Sequence, residues 1–405
     1  MTASGTRNLK ENLAMAFDYA VLGAGRQGTA AAYDLARHGE AGQVILADLN
    51  LANAQRAAGR VNDLLGEDQV SAAALDVRDE AAVKRLLKGI SACVSAVPYH
   101  FNLGIARAAI AAGTSLTDLG GKTSIVFEEL GLDQEARRAG ISLIPDCGMV
   151  PGLGTSVCMA AMELVEHPRD VFLWDGGLPQ QPRPPWNYIL TFHFEGLINE
   201  YSGTTEFLRD GRLIEVPCFE ELENVEFPAP LGTLEAFTTA GGTSSAPRTF
   251  FGRLRTYQNK TLRYPGHCAQ WKTLRDAGLF GEEPVMANGS NRVRPRDLLR
   301  EVLDPQLRPR PDERDVCILR GKAIGESEGR PVEAVVDIYD YYDEATGLTA
   351  MERTTGWHAA MMAIFAARGE VSKGAVPVER AVTGKRVLEE CRARGMKVQQ
   401  SVRRV

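Results

Sequence analysis

Gly23-Ala24-Gly25-Arg26-Gln27-Gly28, followed about twenty residues later by Asp48, constrains this chain more than any other stretch. Tyr19-Ala20-Val21-Leu22 reads as a buried strand and residues 30–37 as the helix after it. In that context each glycine has a physical task. The first permits the tight turn, the second lets a pyrophosphate approach backbone N–H groups, and the third lets helix and strand pack closely. The helix N-terminus then presents its positive dipole end to the phosphates. Val44-Ile45-Leu46-Ala47 forms a second strand ending at Asp48. A carboxylate there accepts hydrogen bonds from an adenosine ribose and repels a 2′-phosphate, so the pattern predicts NAD rather than NADP. Gly23, Gly25, Arg26, Gln27, Gly28 and Asp48 are the predicted cofactor contacts.

The rest of the chain sets limits around that motif. With 405 residues, 44% of them hydrophobic, it can bury two cores. A net charge of −6 with scattered basic residues argues against a nucleic-acid partner. The seven cysteines show neither a CxxC pair nor metal-ligand spacing, and no metal site is expected. Their odd number and dispersal suit a reducing cytoplasm. No apolar run approaches the ~18 residues that would span a membrane.

Strand and helix patterns alternate from residue 17 to about residue 150. Residues 71–77, 92–97, 115–119 and 141–144 read as further strands, and 80–88, 102–112 and 126–139 as helices. The fold class is therefore α/β, a Rossmann-type doubly wound parallel sheet. Ligands lie beyond the carboxyl ends of such strands. This adds Asp76, Val97 and Pro98 to the cofactor set, and Tyr99 as a contact for nicotinamide or substrate. Residues 151–350 read instead as a second α+β domain with a largely antiparallel sheet. Its strands include 171–174, 188–194, 234–239, 249–264, 316–324 and 332–342, and its helices 269–277 and 296–302. Residues 1–16 read as a flexible extension. Residues 351–405 read as a helical segment returning to the nucleotide-binding domain and ending in a basic tail.

Several stretches, in order, carry a resemblance. They are Val21-Leu22-Gly23-Ala24-Gly25 with Leu46-Ala47-Asp48, Asp118-Leu119-Gly120-Gly121, and Ile144-Pro145-Asp146-Cys147-Gly148 with Pro151-Gly152. Further on come Gly176-Gly177-Leu178-Pro179, Phe194-Glu195-Gly196-Leu197, Gly241-Gly242-Thr243-Ser244, the run from Lys260 to His267, and Thr354-Thr355-Gly356. Over nearly its whole length the chain resembles the saccharopine dehydrogenase family, and most of all the branch that deaminates lysine at carbon 6. That resemblance implies a homodimer or homotetramer acting on a small amino acid. Saccharopine-forming members carry Asp-Pro-Gly where this chain has Val150-Pro151-Gly152. The missing carboxylate speaks against their longer substrate.

The implied chemistry transfers a hydride from an amine-bearing CH₂ to NAD. The imine then hydrolyses to allysine, which cyclises to piperideine-6-carboxylate. The amine must be neutral to react, yet lysine's ε-amine has a reference pKa of about 10.4. A base, a desolvated pocket or both are required. Candidates are Asp118, ranked first for its place at a strand end, then Lys122, Asp146, His193, Glu195 and His267. The substrate carboxylate needs an anchor, and a guanidinium forks onto it bidentately. Arg263 comes first and Arg248 second, with Tyr264 and Thr243 adding hydrogen bonds.

Two rival readings remain. A saccharopine-type or carboxynorspermidine-type reductase would need a second anionic anchor, which Arg183, Arg248 and Arg263 in one cleft would supply. A non-catalytic NAD sensor would keep the fold without a polar cleft.

Overall fold

A computed structural model describes residues 16–405, so the extension read over residues 1–16 lies, but for Ala16, outside the described residues. Strands β1 (Phe17–Leu22), β2 (Ala41–Asp48), β3 (Val70–Ala74), β4 (Ala92–Ser95), β5 (Ser115–Asp118) and β6 (Ser142–Ile144) alternate with helices. They pair in parallel in the order β3-β2-β1-β4-β5-β6, the doubly wound arrangement. The order reverses between β1 and β4, which opens a crevice beyond their carboxyl ends. The single helix expected over residues 126–139 is two, Thr123–Leu130 and Asp133–Ala139, because Gly131 ends the first.

The second sheet is mixed but largely antiparallel. Its strands are β7 (His167–Pro179), β8 (Thr204–Arg209), β9 (Arg212–Pro217), β10 (Glu223–Glu226), β11 (Thr233–Phe237) and β12 (Thr256–Arg263). After a small hairpin of β13 (Val285–Ala287) and β14 (Asn291–Val293) come β15 (Asp315–Ser327) and β16 (Arg330–Tyr341). Among the described residues only β7 and β12, at its centre, pair in parallel. Two expected strands differ. Residues 188–194 form a loop that leads into helix Phe194–Glu200, with His193 as its N-cap. The stretch 249–264 begins as the short helix Ala246–Thr249 and becomes strand only at Thr256.

The returning segment joins the two sheets. Helix His358–Ala367 is apolar on all sides and buried, and it packs on β4, β5 and helix Arg26–His38. Thr117 donates to the Ala359 carbonyl at 3.1 Å. The backbones approach so closely that a Cβ on Gly356 would sit 2.5 Å from the Gln27 carbonyl oxygen. The chain next adds β17 (Gly374–Ala375) as a seventh parallel strand beside β6. It then crosses back, and the basic tail forms β18 (Lys397–Arg404), an edge strand against β16 rather than a helix. One apolar cluster consequently runs from Val21 and Leu46 through Leu153 and Val157 to Leu319 and Phe365. No helix among the described residues is long and apolar enough to cross a membrane.

Arg394 fixes this return electrostatically. Its guanidinium is bidentate on Asp34 of the first helix, at 2.6 and 2.9 Å, and both side chains are buried. Glu390 holds the third guanidinium nitrogen, so removing Asp34 leaves the buried guanidinium with a counter-charge on one side and two N–H groups without a partner. Asp34→Ala should therefore lower unfolding free energy by about 3–5 kcal/mol, measured by urea denaturation; a loss below about 1 kcal/mol would show that water reaches Arg394.

Candidate functional site

The glycine turn is built for an anion. Gly23 has φ +105°, and a Cβ there would lie 2.5 Å from the Ala96 carbonyl oxygen. A Cβ on Gly28 would strike the Gly23 carbonyl, whereas Gly25 has nothing within 4 Å. Helix Arg26–His38 starts without a side-chain cap, leaving the N–H groups of its first turn for phosphate oxygens. Asp48 accepts from Ala24 N and Asn50 N, both at 2.9 Å, so the carboxylate is fixed to that turn. Gln27 Oε1 is buried with no partner among the described residues. These residues fit a pyridine dinucleotide. Arg26 lies 3.9 Å from Glu352. Asp76 is half-buried and pairs with Arg78 of its own loop at 2.6 Å, and it is not on the cleft lining.

A cleft of about 840 Å³ continues from Gln27. Its first wall is the ends of the parallel strands: Val97, Pro98 and Tyr99 after β4, Gly120 to Thr123 after β5, and Asp146 with Gly148 to Pro151 after β6. Its second wall belongs to the other sheet, and strand alternation explains its chemistry. On β7, Val171 and Leu173 face the shared core, and one and two steps further Asp175 and Gly177 face the cleft. On β12, Tyr257 faces the core, then Asn259, Thr261 and Arg263 line the cleft. His193, Asn199 and Glu200 close it from helix Phe194–Glu200 and its cap.

The second wall is a polar network. Asn259 Nδ2 donates to Asp175 Oδ1 at 2.6 Å. Glu200 Oε1 accepts from Arg263 Nη2 at 3.1 Å and from Thr261 at 3.3 Å. Arg263 Nε donates to Tyr201 Oη at 2.9 Å, and Tyr201 pairs with His267 Nε2 at 2.8 Å. The Arg263 guanidinium also lies over the ring of Tyr188, 5.1 Å from its centroid. Burial raises the proton affinity of Glu200 and pushes Asp175 up to about 7. On the first wall, Asp146 takes a short hydrogen bond from Ser244 across the domain boundary. Burial, then the nearby Asp118 charge, drives its carboxyl well above the usual range.

Of the candidates read from sequence, Gln27, Val97, Pro98, Tyr99, Lys122, Asp146, His193 and Arg263 line the cleft. Others do not. Asp118 is fully buried beneath it, accepting from Gly120 N at 2.6 Å and Asp146 N at 3.3 Å. It sits against Glu129, whose proton is retained by burial and by the Asp118 charge. His267 lies behind Tyr201, and burial lowers its basicity far below the ordinary imidazole range. Glu195 is outside the cleft, 3.6 Å from Arg296 and from Arg300. Arg248 is on the surface, clasping Glu206 at 2.8 Å and covering the Phe127 ring. Thr243 is buried and donates to the Glu206 carbonyl. Tyr264 follows Arg263 and so points to the opposite face, donating to the Pro179 carbonyl at 3.0 Å. Asp175, Glu200, Asn259 and Thr261 were missed. Strand Thr256–Arg263 is polar on both faces, with Gln258 and Lys260 between Asn259 and Thr261, so alternation gave no signal that set the last two apart. Among the described residues no group of three or more His, Cys, Asp or Glu side chains could hold a metal.

A carboxyl that is harder to ionise in the fold than in the unfolded chain contributes stability below its unfolded pKa and loses it as pH rises through the folded value. For Asp175 that window runs from 3.8 to about 7. Asp175→Asn keeps an acceptor for Asn259, so the variant should exceed the wild type in denaturant stability at pH 8 and match it near pH 3.5. A wild type more stable at pH 8 would mean the carboxylate is compensated there.

Comparison with known proteins follows the same division of the chain. Residues 19–144 match the saccharopine dehydrogenase NADP binding domain, and residues 148–396 the saccharopine dehydrogenase C-terminal domain. Saccharopine dehydrogenase (NADP(+), L-glutamate-forming) of Schizosaccharomyces pombe is 23% identical over 282 residues, 67% of this chain and 58% of that protein. The mitochondrial alpha-aminoadipic semialdehyde synthase of Mus musculus is 22% identical over 391 residues, 79% of this chain and 41% of that protein. The chain thus spans between 41% and 58% of the length of these two relatives. The apo histidine-tagged saccharopine dehydrogenase (L-Glu forming) of Saccharomyces cerevisiae superposes with a TM-score of 0.77 at 18% identity. That superposition covers 96% of this chain and 100% of that one, which shows a common fold. With both domains matched in order, and the second match alone taking in more than half of the residues, this chain belongs to the saccharopine dehydrogenase family.

Proposed function

We propose that the chain is an NAD-dependent dehydrogenase that oxidatively deaminates the ε-amine of L-lysine. One observation carries the choice of substrate. Of the three arginines whose clustering would hold a second anionic group, only Arg263 lines the cleft, whereas Arg183 pairs with Glu313 and Arg248 with Glu206. Arg296, also on the lining, is neutralised by Glu282. The cleft therefore suits an amine with one carboxylate. Arg263 spends one N–H each on Tyr201, the Leu262 carbonyl and Glu200. One N–H on each terminal nitrogen is left to fork onto a carboxylate.

A bound nicotinamide supplies the hydride acceptor. This chain's residues position the amine and manage its proton. Asp146 lies where the ends of β4, β5 and β6 converge, and its burial narrows the gap between its proton affinity and that of the ammonium. Lys122 and Tyr99 line the same cleft, and Met149 and Met351 add apolar surface to it. For NAD over NADP, the support is Asp48 with Leu49-Asn50-Leu51 after it, a stretch without a basic residue for a 2′-phosphate. The names of the fungal relatives favour a second reading, an NADP-linked dehydrogenase of a secondary amine. A sensor without chemistry has no need of buried carboxyls at 146, 175 and 200.

Purified protein with NAD and L-lysine should form NADH and release ammonia, while saccharopine in a parallel cuvette should not react. The same pair of assays with NADP tests the second reading: NADPH from saccharopine alone would establish it, and no reduced cofactor from either substrate with either nucleotide would remove both. Asp48→Arg should weaken NAD binding about tenfold or more and improve NADP, read by cofactor titration. Arg263→Ala should raise KM for lysine by about tenfold to a hundredfold. It should change KM for cadaverine, which lacks the carboxylate, far less.

A further inference from the structure

The second wall of the cleft holds more acceptors than its own donors use. Asp175 lines the cleft at only 9% exposure, and its Oδ1 takes Asn259, while no donor among the described residues reaches Oδ2. Glu200 commits Oε1 to Arg263 and Thr261, and Oε2 again meets no donor among the described residues. The two carboxyls are brought together by one threonine. Thr261 is the β-ladder partner of Asp175, and its hydroxyl reaches Glu200. Against these two acids the network has one cation, Arg263, and its basic neighbour His267 is held neutral by burial. A desolvated carboxylate left without a counter-charge is costly, so this wall favours a cation beside the guanidinium.

From this juxtaposition we infer that Asp175 and Glu200 form the ammonium half of an α-amino-acid subsite whose carboxylate half is Arg263. An α-ammonium has three N–H donors, and Asp175 Oδ2, Glu200 Oε2 and the hydroxyls of Thr261 and Thr239 are acceptors on the same wall. The carboxylate one carbon away meets the two remaining N–H groups of Arg263. The side chain then runs across the cleft towards Asp146, Lys122 and Tyr99, so the substrate class is an α-amino acid with its reactive group at the far end of an aliphatic chain. The high proton affinity of Asp175 is consistent with a group waiting for a cation. This assignment deepens the proposed reading of the cleft and rests on it for the direction in which the side chain points.

L-Norleucine and hexanoate test the subsite without any chemistry, because they share chain and carboxylate and differ only in the α-amine. Calorimetric titration of the full chain saturated with NADH should show norleucine binding at least tenfold tighter than hexanoate. Asp175→Asn and Glu200→Gln, which keep the acceptors for Asn259, Thr261 and Arg263, should each bring that ratio towards one by weakening norleucine, while hexanoate, which loses only an anionic neighbour of Arg263, should bind no more weakly than to the wild type. Equal binding of the two probes by the wild type, or a ratio unchanged in both variants, would overturn the inference. The outcome is separable from the lysine assay. Norleucine preference without lysine turnover keeps the subsite and removes the deamination, and lysine turnover with equal probe binding does the reverse.

Discussion

Everything in this molecule rests on the close approach of residues 350–367 to the first βαβ unit. Gly356 lies so near the Gln27 carbonyl that no side chain fits between them. That contact places an all-apolar helix on β4 and β5 and merges what would be two cores into one. His358 marks the junction. Its Nδ1 must donate to the Cys147 carbonyl at 2.9 Å, which leaves Nε2 to accept from Ser156 at 3.3 Å. Burial holds its pKa at about 4, so the ring stays neutral and the tautomer is fixed. Both partners belong to the turn and helix that follow β6. The loop carrying Asp146 is thus set by the returning segment, not by the parallel sheet alone.

The same join explains why the cleft can be strongly polar. Its two walls cannot part to admit bulk water without exposing the shared core, so charged groups there remain desolvated. Asp146, Asp175 and Glu200 all hold their protons more tightly for that reason. Natural sites keep such groups where a ligand compensates them. The stability given up at these positions is offset by packing elsewhere, in particular by the fully buried helix His358–Ala367.

The parallel domain was legible because its signals are local. Glycine spacing, short apolar strands and an acid at the end of β2 lie within a few tens of residues of one another. The second wall was not legible to the same degree. Arg263 was found through the family resemblance of the run around it, but whether Tyr264 joined it depended on the strand face it occupied, and Arg248 falls in a short helix on the surface. One residue of alternation separates Arg263 in the cleft from Tyr264 behind the sheet. His193 and Glu195 illustrate another limit. An apolar stretch around Phe192 and Phe194 reads equally well as strand or helix, and His193 Nδ1, accepting from Gly196 N at 2.7 Å, starts a helix that puts Glu200 in the cleft and Glu195 outside it. Glu200 could be recognised only once that helix was known. Asp118 was misplaced for a simpler reason: being at a strand end does not say which way the carboxylate turns, and the Gly120 and Asp146 amides turn it inward.

The seventh parallel strand and the helix beneath it come from residues 358–375, more than two hundred positions after β6. During synthesis at about 5–20 residues per second, the nucleotide-binding sheet therefore waits ten seconds or more, on the order of tens at the slow end, for the pieces that cover β4, β5 and β6. Over that interval its apolar face is open while the second domain emerges. The motif that is easiest to read at the start of the chain belongs to a unit that finishes folding late, and its nascent form is a natural client for a chaperone that holds exposed apolar surface.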